Sequence, residues 1–138
     1  MNMTSSTVPV ADDASAHFAC HLRRVRFEDL SPGDVSAARQ SILDTIAVML
    51  AGSGASSARA VVRMLDAWGG VPEALAIGTG KRLPAVHAAF ANGAMAHQFD
   101  FDDTHDAAVV HPTANSFAAA LAVCEALGGR SGKDLLAA

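Results

Sequence analysis

The stretch "SPGDVSAARQSILDTIAVMLAGSG", residues 31 to 54, reads as a helix with both of its ends marked. Ser31 can cap it, and Pro32 fits the first helical position, where a missing N–H is no loss. Val35, Ala38, Ile42, Leu43, Ile46 and Leu50 then recur at helical spacing until Gly52 and Gly54 stop the run. The same grammar returns along the chain. "SSARAVVRMLDAWGG" sets Val61, Met64, Leu65 and Trp68 on one side and ends on Gly69 and Gly70. Pro84 opens a segment through Ala88, Ala89 and Met95, in which Asn92 and Gly93 are small enough for another backbone to come close. Pro112 opens one carrying Phe117, Ala120, Leu121, Cys124 and Leu127, closed by Gly128 and Gly129. Phe18, Leu22 and Val25 mark a short amphipathic helix, and Ser131 caps the start of a last one, "GKDLLAA".

One segment breaks the pattern. In "EALAIGTGKRLP" a brief apolar run around Ala76 and Ile77 meets Gly78 and Gly80, which suits a tight turn or short hairpin near residues 74–83. The chain is 51% hydrophobic but only 5% aromatic, so its apolar content rests on alanine, which favours closely packed helices. The expected fold class is therefore all-α and bundle-like. At 138 residues one domain is expected, a helical unit over 15–138 behind a polar, frayed 1–14. The last helix stops after about two turns with no terminating signal, so a longer natural polypeptide is expected.

A net charge of -4 with ten Lys plus Arg leaves no broad basic surface, which argues against a nucleic-acid partner. Cys20 and Cys124 permit at most one disulfide and cannot ligate an iron–sulfur cluster by themselves, so a reduced, cytoplasmic setting is expected. Residues 1–16 lack the basic start and apolar run of a signal peptide. No stretch reaches the ~18 apolar residues of a membrane span, so no membrane role is expected.

The chemistry concentrates in "HQFDFDDTHDAAVVHP", residues 97 to 112. Only 17% of the chain is charged, yet four aspartates and three histidines fall between His97 and His111. Two readings stand. On a helix end, Asp100, Asp103 and Asp106 would be neighbours, and packing against an apolar wall would raise at least one pKa towards the range useful for acid–base work. Alternatively, Asp102, Asp103 and Thr104 cap a helix or turn while Asp106 faces water.

His111, just before Pro112, sits at an expected helix entrance where free N–H groups favour an anion, so a substrate carboxylate can dock there. A histidine bonded to a neighbour fits that position equally well. The same two readings apply to His97 and His105. Within the cluster, gaps of seven and five intervening residues match no short metal-ligand motif, and no metal site is expected. "GTGKR" lacks the full phosphate-loop spacing. Lys81 and Arg82 are solvated turn charges, or hold a substrate carboxylate if the turn folds towards the cluster.

"ANGAMAHQFDFDDTH", followed by "HPTANS" and "AALAVCEALGGRSGKDLLAA", resembles the N-terminal half of the MmgE/PrpD family, whose namesake is 2-methylcitrate dehydratase, an enzyme of propionate catabolism. "SILDTIAVMLAGS" and "AIGTGKRLPAVHAAFANG" resemble the family's first long helix and the turn and helix before its Asp-rich motif, so the likeness runs from about Phe18 onwards. The resemblance implies the N-terminal part of a large helical domain, normally completed by a smaller α+β domain, with the active site between them, in a homodimer. It implies lyase, decarboxylase or epimerase chemistry on small polycarboxylates without metal or organic cofactor. Carried over by position, it gives Asp100 and His111 catalytic roles. His111 and Thr104 would bind substrate, and Asp102 and Asp103 would shape the loop through backbone hydrogen bonds. Members commonly read His-Pro-Ser where this chain has His-Pro-Thr, and the spacing from Thr104 to His111 varies among them. The family's later lysine and histidine would lie beyond Ala138, so the chain is expected either to lack part of an active site or to pair with a separate C-terminal partner.

Overall fold

A computed structural model describes residues 13–138. The frayed terminus expected over 1–14 falls, for residues 1–12, outside the described residues. The elements are α1 (Ala14–Leu22), a 3-10 turn at Phe27–Asp29, α2 (Pro32–Ser53), α3 (Ser56–Trp68), β1 (Ala74–Ala76), β2 (Lys81–Leu83), α4 (Ala85–Ala96), α5 (Pro112–Ala126) and α6 (Gly132–Ala137). The architecture is all-helical apart from one short antiparallel hairpin, with Ala74 opposite Leu83 and Ala76 opposite Lys81.

Local chemistry sets the helix ends. The Ser31 hydroxyl accepts from the Asp34 N–H while the Asp34 carboxylate accepts from the Ser31 N–H at 2.9 Å, a reciprocal box that Ser131 and Asp134 repeat before α6. Pro84 has no side chain able to cap α4, and the Glu73 carboxylate does so instead, accepting from the Ala85 N–H at 3.0 Å. The chain reverses between β1 and β2 through Gly78 and Gly80, at φ 74° and 70°, a region that favours glycine.

The core is built from small residues. Ala88, Ala91, Met95 and Ala96 of α4 are buried together with Ala114, Phe117, Ala118 and Ala122 of α5, and Met49, Ala58, Val62, Leu65 and Leu83 close the cluster. Alanine faces let helices approach closely, and burying a side chain the size of Phe117 or Met95 contributes about 1.5–3 kcal/mol. Asn92, fully buried in α4, holds the hairpin: its side-chain oxygen accepts from Ile77 N–H at 2.9 Å and its amide donates to the Leu75 carbonyl at 3.0 Å.

Several expected faces are rotated. On α2 the buried line is Thr45, Met49 and Gly52, whereas Leu43 (70% exposed) and Leu50 (51%) point away from the core. Gly52 is not a stop but an interior helical residue pressed against α4, where a Cβ would collide with the Met95 carbonyl and crowd the Gln98 side chain. Of the two residues where another backbone was expected to come close, Asn92 meets the hairpin backbone, whereas nothing stands within 4 Å of a Cβ built at Gly93. Met64, Trp68 and Leu127 are also exposed, and so are Phe18 and Leu22 on α1. No single described helix is long and apolar enough to cross a membrane.

Candidate active site

α4 ends at Ala96, and His97 caps it through an N–H bonded to the Gly93 carbonyl at 3.1 Å. The next fourteen residues are a folded loop, not the helix end on which neighbouring aspartates were one expectation. A link from the Ser57 hydroxyl to the Gln98 side chain ties the start of this loop to the first turn of α3. Asp100 then turns the chain with φ 57°, a left-handed conformation that Asp tolerates better than most residues. At the far side the His105 N–H meets the Val110 carbonyl at 2.9 Å and closes an exposed lobe that carries Asp106.

Asp103 fastens the loop to α5. His111 occupies the N-cap but offers no capping bond, and the Asp103 carboxylate supplies it, accepting from the Thr113 N–H at 3.1 Å and the Thr113 hydroxyl at 2.6 Å. With α5 anchored there, His111 faces Asp102. Its Nδ1 lies 3.2 Å from the Asp102 carbonyl and 3.4 Å from the Asp102 carboxylate, while Nε2 is 3.4 Å from Asp100 Oδ1. Acceptors face both ring nitrogens, two of them at Nδ1 with the shortest contact to the Asp102 carbonyl and one at Nε2, an arrangement that favours the hydrogen on Nδ1 in the neutral ring and has Nε2 exchange a proton.

His97 enters from the opposite side. Its Nδ1 sits 3.0 Å from Asp102 Oδ1, and its ring packs edge to face on His111 with centroids 4.8 Å apart. The Asp102 side chain is shut off from solvent, whereas Asp100 and His97 remain largely open to it. The result is a buried carboxylate holding two imidazoles, with a second, exposed carboxylate over the ring of His111. Such a set can deliver and remove protons at a solvent-facing point.

The MmgE/PrpD N-terminal domain profile matches residues 16–138, nearly the whole described chain. The chain belongs to the MmgE/PrpD family. It is also similar to the cis-aconitate decarboxylase of Mus musculus, with 31% identity over 125 residues that make up 88% of this chain. It spans 25% of that relative's length.

In this MmgE/PrpD domain the residues singled out in the sequence are not all brought together. Asp100 and His111 meet. Asp103 makes the backbone contact expected of it, but Asp102 binds imidazoles where backbone N–H partners were expected. Thr104 is exposed beside the cluster and shares none of the hydrogen bonds that fix its neighbours. Lys81 and Arg82 are not delivered to the site. Lys81 pairs with Asp66 of α3, and Arg82 lies 3.8 Å from Glu125 near the C-terminal end of α5. Glu125 lies thirteen helical steps beyond Pro112, a rise of about 20 Å, so the Arg82 contact falls far along α5 from His111.

Of the two readings open for His97, the one realised is a histidine bonded to a neighbour, and the bridging role of that neighbour, Asp102, was not expected from the sequence. The available signal was a histidine at a helix C-terminus five residues ahead of a carboxylate, too common a pattern to choose without the fold. His105 turns its ring inward to its own loop, where Nδ1 receives the Ala108 N–H at 3.2 Å.

Proposed function

We propose that this domain carries the proton-transfer groups of a lyase acting on small polycarboxylates in the manner of 2-methylcitrate dehydratase. A base takes a proton alpha to a substrate carboxylate, and hydroxide leaves the adjacent carbon as water after protonation. In this reading His111 Nε2 is the group that takes or returns the proton, and Asp100 orients it and shares its charge when the ring is protonated. Thr104, exposed beside them, donates a hydrogen bond to a substrate carboxylate. Asp102 acts through the imidazole by fixing its tautomer, which makes it a positioning residue.

The observation carrying this reading is the placement of the His111 ring between two carboxylates, Nδ1 against a buried one and Nε2 against an exposed one. The reading invokes no cofactor. It places the protein in the cytoplasm as a homodimer or completed by a C-terminal domain, and leaves no role for nucleic acid or membrane. The deciding experiment follows 2-methylcitrate in D2O with the protein that carries this domain. Formation of the unsaturated acid, together with deuterium at the carbon alpha to the carboxylate in 2-methylcitrate recovered after the reaction has run in reverse, is expected, and neither should occur with His111→Ala. Turnover undiminished in that variant would remove His111 from the chemistry.

Similarity to cis-aconitate decarboxylase favours a second reading, in which the same groups protonate the carbon that loses carbon dioxide. Release of carbon dioxide in place of water from the same panel of acids separates the two. An inert module that only dimerises or pairs with a C-terminal partner would give neither product.

A further inference from the structure

The Asp102 carboxylate lies in an unusual electrostatic position. Its side chain is fully out of solvent, and among the described residues no lysine or arginine comes within ion-pairing distance of it or of Asp100. The groups facing it are the imidazoles of His97 and His111. A buried carboxylate with no lysine or arginine beside it favours a cation.

The geometry supplies a place for one. His97, Asp100, Asp102 and His111 each offer a ligand atom, and the four atoms lie within 4.8 Å of one another. Edges of this figure include His97 Nδ1 to Asp102 Oδ1 at 3.0 Å, His111 Nε2 to Asp100 Oδ1 at 3.4 Å and His97 Nδ1 to Asp100 Oδ1 at 4.0 Å. A tetrahedral ion with bonds of ~2.0–2.1 Å needs ligand–ligand edges of about 3.3 Å, so modest side-chain movement closes the set. Two nitrogens and two oxygens suit Zn2+ and its neighbours in the first transition row; Mg2+ and Ca2+ prefer oxygen alone. Two carboxylates also balance a double positive charge. The lack of any short metal motif in the cluster is no obstacle, because a helix cap and a folded loop deliver the ligands.

We propose that His97, Asp100, Asp102 and His111 bind one divalent cation of the Zn2+ class, and that the bound cation blocks the proton path and so inhibits. The binding claim stands on the geometry; the inhibition claim rests on the lyase reading above. Binding displaces the hydrogen between His97 Nδ1 and Asp102 and ties up His111 Nε2, the nitrogen that would otherwise serve the substrate.

The test is calorimetric titration of Zn2+ into metal-free chain. His17 and His21 lie one turn apart on α1, a spacing able to chelate by itself, so both are first changed to alanine. The expected result is one equivalent bound per chain, no heat with Mg2+, and affinity lowered by ~10-fold or more by His97→Ala and again by His111→Ala. Circular dichroism confirms that these variants keep their helices, and Co2+ in place of Zn2+ should show the visible bands of a four-coordinate ion. No saturable binding, or one-equivalent binding unchanged by both substitutions, overturns the site. Activity is then measured with free Zn2+ held by a metal buffer. Binding without loss of activity overturns the inhibitory role, and binding by a protein with no lyase activity overturns the lyase reading while the site stands.

Discussion

Asp102 exerts its effect at the scale of one side chain. Its carboxylate and carbonyl both accept at Nδ1, against the single acceptor Asp100 at Nε2, which favours the hydrogen of His111 on Nδ1 and presents Nε2 beside Asp100. Asp102→Asn puts an amide donor within reach of Nδ1 and favours the opposite tautomer. The lyase reading therefore predicts a fall in kcat of ~10²-fold with KM little changed, because the residue does not touch substrate. His111→Ala removes the proton carrier itself and should reduce kcat/KM by ~10²–10⁴-fold. Steady-state kinetics on the two variants distinguishes orientation from direct participation. The resemblance pointed to Asp100 and His111 because both stand in a quotable motif. The partner of His97 stayed hidden because it is reached only after the chain turns back at Asp100, a reversal that depends on φ 57° at a single residue.

Elements form for reasons visible in short windows, and pack for reasons that are not. The Ser31–Asp34 and Ser131–Asp134 boxes, Pro32 and Pro112 at helix starts and the glycine stop after Trp68 could all be read from their immediate neighbours. Which side of α2 is buried could not, because it depends on where α4 crosses. Apolar residues lie on both sides of α2, and the contact falls where Gly52 allows closest approach. Gly52→Ala should destabilise the fold by about 1–3 kcal/mol in chemical denaturation, since the added methyl meets α4 backbone and not a movable side chain. Asn92→Leu should cost about 2–4 kcal/mol, leaving Ile77 N–H and the Leu75 carbonyl without their partner and loosening the hairpin.

The caps also set an acid response. Hydrogen bonds from the Ser31 N–H and then its hydroxyl hold the Asp34 carboxyl below its usual 3.8, and at Asp134 the Ser131 side chain leads and its backbone follows. A folded-state pKa lowered in this way means that the stabilisation is present above pH 3.8 and is lost as pH falls through the folded value. Urea midpoints measured at about pH 6 and about pH 3 should therefore differ less in Asp34→Asn than in the parent chain.

Across the whole molecule, the helix pair α4 and α5 separates two regions. The His97–Asp102–His111 cluster sits where α4 ends and α5 begins, whereas Lys81 is held by Asp66 of α3 and Arg82 reaches Glu125 near the far end of α5, which accounts for Lys81 and Arg82 standing apart from the chemistry. Large apolar side chains remain open on several faces, among them Leu43 and Leu50 on α2 and Val86 and Phe90 on α4. Exposed apolar surface of this kind favours association, and the proposed homodimer predicts a two-chain mass in sedimentation equilibrium. A single-chain mass at all concentrations would contradict it.

The central claim is that Asp102 holds His111 with its hydrogen on Nδ1 and its Nε2 presented to a small polycarboxylate. Nitrogen-15 NMR of the imidazoles, recorded with and without 2-methylcitrate, tests it directly. The account predicts the Nδ1–H tautomer for His111 in the free protein and a shift at Nε2 on addition of the acid, lost in Asp102→Asn. The Nε2–H tautomer, or a His111 resonance indifferent to saturating acid, would contradict it.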